Sequence, residues 1–198
     1  MKSCFLIYET KNLIVATGRS PKKLGIEDEY INRGVSYCAI CDGALYKDKV
    51  VAVIGSGDSA VTSAIYLSKI CKKVYLIVRK DYLKAKDYLV QKLNEKVTVL
   101  FNKNVTKLYG EDKLEYIELN NVDKLGVDGL FIYVGSNPNT DFIDLDKDNG
   151  YILVDDNMKT SEDNIYACGD VIKKDVYQIT TATSDATIAA INCAKKTS

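Results

Sequence analysis

A glycine-rich turn between two apolar segments is the feature that most limits the folds open to this chain. Residues 50–55 (VVAVIG) and 74–78 (VYLIV) are continuous apolar runs, as expected of buried parallel strands. Between them lies GSGDSA at residues 55–60, followed as far as Ile70 by apolar side chains at helical spacing. Strand, turn, helix and strand within about 30 residues predict a βαβ unit, and hence an α/β fold with a mainly parallel sheet.

The turn has the GxGxxA pattern of a dinucleotide-binding site, formed by Gly55, Ser56, Gly57, Asp58, Ser59 and Ala60. Gly55 permits the tight turn, and Gly57 lets a pyrophosphate approach the backbone. Ala60 permits close packing of the helix, whose N-terminus faces the anion. The strand before the turn and the helix after it favour a nucleotide site over the alternative, a simple glycine turn.

Basic side chains follow the second strand of this unit at Arg79, Lys80 and Lys84. An acidic residue here would bind the ribose of NAD, whereas basic side chains suit the 2′-phosphate of NADP. The sequence therefore favours NADPH over NADH, and the alternative is a solvated charged face.

Cys38 and Cys41 are separated by only two residues, a spacing that permits a small disulfide. Such pairs commonly have one thiol with a pKa lowered to about 7, which makes it a nucleophile at cellular pH. Asp42 stands next to them as a candidate proton donor or acceptor, with a turn or helix-cap carboxylate as the alternative. The chain has no histidine and no second CxxC, so a redox pair is expected rather than a metal site.

The remaining cysteines stand alone among apolar or small neighbours and are interpreted as buried structural thiols: Cys4, Cys71, Cys168 and Cys193.

The charge balance argues against two classes of partner. Lys and Arg together number 27, as do Asp and Glu, so no net field draws the chain to nucleic acid or to an anionic membrane. The apolar runs have the length of strands rather than membrane spans, and residues 1–8 (MKSCFLIY) lack the pattern of a signal peptide. These features predict a cytoplasmic protein.

Further elements are expected on either side of the βαβ unit. Residues 12–18 (NLIVATG) predict a short buried strand and a tight turn, and residues 19–32 a charged linker. Helices are expected at 82–93 and 180–195. Further strands are expected at 97–101, 105–109, 114–119, 129–135, 151–154 and 164–168.

Five segments resemble, in order and spacing, the successive motifs of the low-molecular-weight thioredoxin reductases: 12–18 (NLIVATG), 34–43 (GVSYCAICDG), 53–60 (VIGSGDSA), 129–140 (GLFIYVGSNPNT) and 165–171 (IYACGDV). The combination of a CxxCDG with a GxGxxA shortly after it is highly specific. The resemblance implies a Rossmann-like, three-layer NAD(P)H-binding domain with the CxxC motif at residues 21–148. Residues 1–20 and 149–198 would be remnants of a discontinuous, incomplete FAD-binding domain.

In that family NADPH reduces a bound FAD, the FAD reduces the CxxC disulfide, and the dithiol reduces thioredoxin. By this resemblance Cys41 faces the flavin, Cys38 attacks the disulfide of thioredoxin or a thioredoxin-like protein, and Asp42 is the acid/base group. The resemblance also implies a homodimer.

The resemblance further implies residues that line the FAD site. Thr17 and Gly18 would line it from one end, and Gly169 and Asp170, in the CGD turn, would bind the ribityl or phosphate region. The wall of the isoalloxazine site would include Gln178, Ile179 and Thr180.

Several departures from the family pattern bear on these roles. Full-length members open with a strand, a GxGxxG turn and a helix that bind the FAD pyrophosphate, whereas only 11 residues precede Asn12. That segment is therefore expected to be missing, with apolar surface left exposed. The family's HRRxxxR run is VRKDYLK at 78–84, its arginine before Gln178 is Tyr177, and two of its later glycines are Ser184 and Ala186.

Two alternatives follow from these departures. One is a flavin-linked disulfide reductase with a non-nicotinamide donor such as ferredoxin, which would not oxidise NADPH. The other is a catalytically inactive fragment that binds nucleotide or a partner subunit without turnover. Retained flavin, visible as a yellow preparation, would argue against the fragment.

Overall fold

The computed structural model describes residues 8–196, so Cys4 lies outside the described residues. The strands are β1 Leu13–Val15, β2 Arg19–Pro21, β3 Val35–Ser36, β4 Val50–Ile54, β5 Lys73–Val78, β6 Val97–Phe101, β7 Val105–Tyr109, β8 Tyr116–Leu119, β9 Asp123–Gly126, β10 Gly129–Ile132, β11 Ser136–Pro138, β12 Lys147–Asp148, β13 Tyr151–Ile152 and β14 Ile165–Ala167. The helices are α1 Ala39–Asp42, α2 Asp58–Ser68, α3 Asp87–Val90 and α4 Ile179–Lys195, with 3-10 turns at Asp28–Tyr30, Gly43–Tyr46 and Gly169–Val171.

The chain divides into two compact units. One comprises residues 21–135, and the other comprises the described residues up to Ser20 together with those from Ser136 onward. Residues 136–148 group with the discontinuous unit, where β11 pairs with β2 and Leu145 lies in the core. The domain boundary at residue 148 implied by the resemblance stays a prediction.

The unit of residues 21–135 is built on a five-stranded parallel sheet. Its strand order is β3-β10-β4-β5-β6. The βαβ unit predicted from the sequence is present, since β4, α2 and β5 follow one another and β4 pairs with β5 from Val50↔Lys73 to Ile54↔Ile77. The prediction of an α/β fold with a parallel sheet is confirmed.

The two faces of this sheet belong to separate apolar cores because side chains alternate along β4. Val51 and Val53 pack with Ala60, Ala64 and other residues of α2. Ala52 faces the opposite core, which includes buried residues of the antiparallel β7-β8-β9 sheet. Helix, parallel sheet and antiparallel sheet therefore form three layers.

The helix predicted for residues 82–93 is largely absent, since only Asp87–Val90 is helical. The backbone N–H groups of Lys84 and Ala85 instead donate to the Ser56 carbonyl, at 2.7 and 2.9 Å. These long-range bonds hold the segment against the glycine-rich turn and compete with helix formation.

The discontinuous unit contains a two-stranded parallel sheet of β1 and β14, paired from Leu13↔Ile165 to Val15↔Ala167. Val15 is buried with Leu145, Ile152 and neighbouring apolar side chains, whereas Leu13 and Ile14 are exposed. Most of α4 is also exposed; Ala189 is its one buried residue among those described.

Two of the predicted structural thiols are buried as expected. Burial raises the pKa of Cys71 to about 11 and also raises that of Cys168. The prediction was wrong for Cys193, which is only half-buried because α4 leaves most of its surface exposed.

A fully buried carboxylate, Glu27, organises the loop that leads to β3. It accepts hydrogen bonds from the Leu24 N–H (2.7 Å), the Ile26 N–H (2.9 Å) and the Tyr37 hydroxyl (2.6 Å). Burial alone would raise the pKa of Glu27, but the hydrogen bonds that its carboxylate accepts, these three among them, outweigh burial and lower the pKa below its ordinary value. Burial and the bond to Glu27 raise the pKa of Tyr37.

Replacing Glu27 should therefore destabilise the fold in a pH-dependent way. An amide in Glu27→Gln would face one of the three donors with its own NH₂ group, so we expect a loss of about 1–3 kcal/mol at neutral pH. Because the folded pKa is lowered, the stabilisation is present above the ordinary pKa of 4.5 and is lost as the pH falls through the folded value. Urea unfolding at several pH values should show the two proteins converging in acid.

The exposed Glu29→Gln variant is the matched control and should unfold like the parent protein at every pH. Equal stability of Glu27→Gln and the parent at neutral pH would contradict the role given to Glu27.

Candidate functional site

The two sequence motifs lie at the same edge of the parallel sheet. β10 pairs in parallel with β3 on one side and with β4 on the other. The carboxyl ends of these three strands therefore share one edge, where ligand sites of α/β sheets are commonly found. The CxxC segment follows β3, and the GxGxxA turn follows β4.

Cys38 and Cys41 are joined by a disulfide across the first turn of α1. Cys38 is the N-cap residue, and its Sγ accepts a hydrogen bond from the Cys41 N–H at 3.2 Å. Cys38 is half-buried and Cys41 is exposed. Ile40, between the two cysteines, and Leu45, shortly after them in the chain, carry exposed apolar side chains. A second protein could therefore reach this disulfide, and the N–H of Cys41 can stabilise a thiolate at Cys38.

Asp42 ends α1 close to the pair in sequence, and Ser36 fixes its carboxylate. The Ser36 hydroxyl donates to Asp42 Oδ2 at 2.6 Å, and Ser36 Oγ accepts from the Cys38 N–H at 3.0 Å. Ser36 thus ties the carboxylate to the cysteine segment. Its role could not be read from the CxxC spacing.

The glycine turn has the shape needed for a phosphate to approach the backbone. Gly55 has φ +143°, and a Cβ there would meet the Tyr133 carbonyl oxygen and, at 2.8 Å, Cβ of Ala60. A Cβ on Gly57 would meet nothing within 4 Å, and no side chain caps α2 at this residue. The first N–H groups of this 11-residue helix therefore face open space, which fits a bound pyrophosphate.

The basic residues predicted to bind a 2′-phosphate are exposed on the segment that the Ser56 carbonyl holds. Lys80 Nζ donates to the Tyr82 hydroxyl at 3.0 Å, a bond that lowers the pKa of Tyr82. Asp58, at the start of α2, accepts from the Lys86 N–H at 2.9 Å. Lys86 therefore also lies beside the turn, although no sequence motif singled it out. This segment therefore brings exposed cations beside the turn.

The predicted FAD residues are found in the discontinuous unit. The Thr17 hydroxyl donates to the Asn139 carbonyl at 2.7 Å, and Gly18 (φ +66°) and Gly169 (φ +79°) adopt the left-handed conformation. Gln178 caps α4 through a capping box with Thr181. The two residues after Gln178, Ile179 and Thr180, are exposed.

The Asp170 carboxylate is already paired with two cations, Arg19 at 3.3 Å and Lys174 at 3.8 Å. The guanidinium of Arg19 also lies 4.2 Å from the centre of the Tyr177 ring. No glycine-rich strand-to-helix turn occurs among the described residues of this unit. The described residues of this unit thus supply a candidate wall of a flavin site and no glycine-rich phosphate cradle.

Residues 8–196 contain no group of three or more Cys, Asp or Glu side chains placed to hold a metal ion. Within the same range, no helix is both long and apolar enough to cross a membrane.

Comparison with known proteins gives a consistent result. Residues 6–186 match the profile of the pyridine nucleotide-disulphide oxidoreductases. The chain is 44% identical over 195 residues to a thioredoxin reductase of Ureaplasma parvum, covering 92% of this chain and 63% of that protein. A Mycoplasma genitalium thioredoxin reductase is 43% identical over 196 residues, with coverages of 92% and 62%.

A solved structure, the Lactococcus lactis thioredoxin reductase, superposes with a TM-score of 0.83 at 38% identity, covering 94% of this chain and 66% of that one. The chain thus spans slightly less than two thirds of the length of the relatives it matches.

Proposed function

The chain belongs to the pyridine nucleotide-disulphide oxidoreductase family, and from that premise we propose that it carries the nucleotide-binding and dithiol parts of a thioredoxin reductase. Electrons would pass from NADPH, through FAD, to the Cys38–Cys41 disulfide and on to thioredoxin or a similar protein disulfide. The observation that carries the proposal is the placement of this disulfide and the GxGxxA turn after β3 and β4, the two neighbours of β10 in one sheet. A cytoplasmic location, expected from the sequence pattern, and a homodimer, implied by the resemblance, remain predictions.

Each cofactor has its proposed residues. The backbone of Gly55–Ala60 would hold the NADPH pyrophosphate, and Arg79, Lys80 and Lys84 the 2′-phosphate. Thr17, Gly18, Gly169, Asp170 and Gln178–Thr180 would contact the flavin. When bound, the nicotinamide supplies a hydride and the flavin supplies two electrons to a disulfide.

The dithiol step belongs to this chain's own residues. The Cys38 thiolate attacks one sulfur of the partner disulfide, and a mixed disulfide forms as the partner's other sulfur leaves. The Cys41 thiolate then attacks Cys38 Sγ, which restores the Cys38–Cys41 bond and releases the partner as a dithiol. Asp42, held by Ser36, takes up the proton that leaves Cys41 and passes it to the partner sulfur released from Cys38. The partner's other sulfur takes its proton from solvent, to which Cys38 lost its own on ionising.

The hydrogen bond from Cys41 N–H to Cys38 Sγ favours Cys38 as the attacking thiol. The greater exposure of Cys41 in the disulfide form would favour the reverse order. Single-cysteine variants distinguish the two assignments.

Cys41→Ser should react with a thioredoxin whose active-site cysteine carries thionitrobenzoate, releasing that coloured thiolate. We expect it to react about tenfold faster than Cys38→Ser, because a thiol stabilised as thiolate is the better nucleophile near neutral pH. The absorbance of the released thiolate gives both rates. All three variants are made in a background that also carries Cys4→Ser and Cys193→Ser. The control, which lacks both Cys38 and Cys41, then keeps only Cys71 and Cys168 and should release almost none, since both thiols are buried. A faster Cys38→Ser would reverse the assignment, and equal, slow rates for all three variants would contradict the dithiol proposal.

Two alanine substitutions in the glycine turn should affect different properties, one mainly NADP⁺ binding and the other mainly fold stability. Gly57→Ala adds a Cβ in open space at the N-cap of α2, so the fold should lose at most about 1 kcal/mol, the difference between glycine and alanine at an N-cap. NADP⁺ binding should weaken at least about tenfold, because the Cβ keeps the phosphate from the backbone N–H groups and a charge-assisted hydrogen bond is lost. Gly55→Ala should instead destabilise the fold, because its Cβ would meet backbone and Ala60. Calorimetric titration and urea unfolding measure the two effects.

Gly126→Ala is the matched control, since a Cβ there has room and lies away from the turn. It should change neither the stability of the fold nor the affinity for NADP⁺. Unchanged NADP⁺ affinity in Gly57→Ala would rule out this turn as the phosphate site. No NADP⁺ binding by the parent chain, with a reducible Cys38–Cys41 pair, would favour the non-nicotinamide donor instead.

A further inference from the structure

Tyr133 connects the two motifs of the candidate site. It directly follows β10, and its backbone N–H donates to the Ile54 carbonyl at 2.8 Å. Its own carbonyl oxygen lies against Gly55, in the space that a Cβ on this glycine would need. The backbone of Tyr133 is therefore fixed by the nucleotide turn and by the end of β4.

The side chain of Tyr133 extends to the redox helix. Its ring packs against the core cluster that contains Ala39 and Ala60. Its hydroxyl oxygen accepts a hydrogen bond from the Ala39 N–H at 2.7 Å. Ala39 is fully buried and is the first residue of α1, where a backbone N–H has no partner within the helix. The Tyr133 hydroxyl supplies that partner.

The helix that Tyr133 holds is too short to be stable by itself. α1 spans four residues, and a single turn is unfavourable without outside support. In the oxidised protein the Cys38–Cys41 bond closes this turn covalently. After reduction, the turn depends on hydrogen bonds from its surroundings, those of Ser36 and Tyr133 among them.

We propose that Tyr133 is a positioning residue for the Cys38–Cys41 pair, and that its hydroxyl holds the first turn of α1 in the dithiol state. This inference rests on the proposed redox function of the pair. Loss of the hydroxyl destabilises the dithiol more than the disulfide, because the disulfide retains its covalent closure. The redox equilibrium then shifts towards the disulfide.

Equilibration of the full chain with dithiothreitol tests the proposal. Two thiols of dithiothreitol are oxidised to its cyclic disulfide, the Cys38–Cys41 bond takes up two electrons and breaks, and two protons end on its sulfurs. In Tyr133→Phe we expect the equilibrium constant to shift about fivefold towards the protein disulfide, since part of the cost of an unpaired buried N–H falls on the dithiol alone. Alkylation and mass spectrometry give the ratio of the two forms.

Tyr30→Phe is the matched control. Its hydroxyl donates to the Gly110 carbonyl at 2.9 Å in the same unit, so this variant also loses one phenol-to-backbone hydrogen bond. It should leave the redox equilibrium unchanged. The positioning role would be overturned if the redox equilibrium of Tyr133→Phe equalled that of the parent. It would also be overturned if Tyr30→Phe shifted the equilibrium as much as Tyr133→Phe does.

Hydrogen exchange of the Ala39 amide supplies a second test that the parent chain itself can answer. The amide should stay protected when the parent is reduced, and should exchange faster in reduced Tyr133→Phe than in its oxidised form. Loss of protection in the reduced parent would overturn the inference. If dithiothreitol fails to reduce the parent disulfide at all, the proposed redox function itself fails; a reducible parent with unaltered Tyr133→Phe defeats only the role of Tyr133.

Discussion

The parallel pairing of β10 with both β3 and β4 is the constraint on which the candidate site depends. Parallel strands end at the same edge of a sheet, so whatever follows β3 and β4 is brought together there. The disulfide follows one strand and the glycine turn follows the other. Both loops thus become neighbours of the end of a strand that comes much later in the chain, where Tyr133 contacts both.

In the discontinuous unit, a positive charge lies beside the proposed flavin residues but comes from a different part of the chain than the family pattern suggests. The resemblance to thioredoxin reductases suggested a lost arginine at Tyr177, next to the proposed flavin wall. In the folded chain the Arg19 guanidinium lies over the Tyr177 ring and pairs with Asp170. A cation is therefore present beside these residues, but it comes from the strand after the Thr17–Gly18 turn.

Strong local patterns made the glycine-turn part of this site predictable. An apolar strand, a glycine turn and a helix with regular spacing leave few alternatives, so β4, α2 and β5 appear close to where the sequence placed them. The helix prediction for residues 82–93 was largely wrong because two backbone hydrogen bonds to Ser56 set the conformation of this segment. No local pattern reveals these bonds. Ser36 and Tyr133 were missed for a similar reason, since each acts through side-chain hydrogen bonds to the CxxC segment that the motif itself does not specify.

Alkylation of the native chain, mapped by mass spectrometry before and after mild reduction, tests most directly whether Cys38 and Cys41 form a redox-active pair. Before reduction neither should be labelled, because their sulfurs are bonded to each other. After reduction both should be labelled rapidly, while the buried Cys71 and Cys168 stay unmodified. Labelling of Cys38 or Cys41 without reduction, or no labelling of either after it, would contradict a redox-active disulfide at the edge of this sheet.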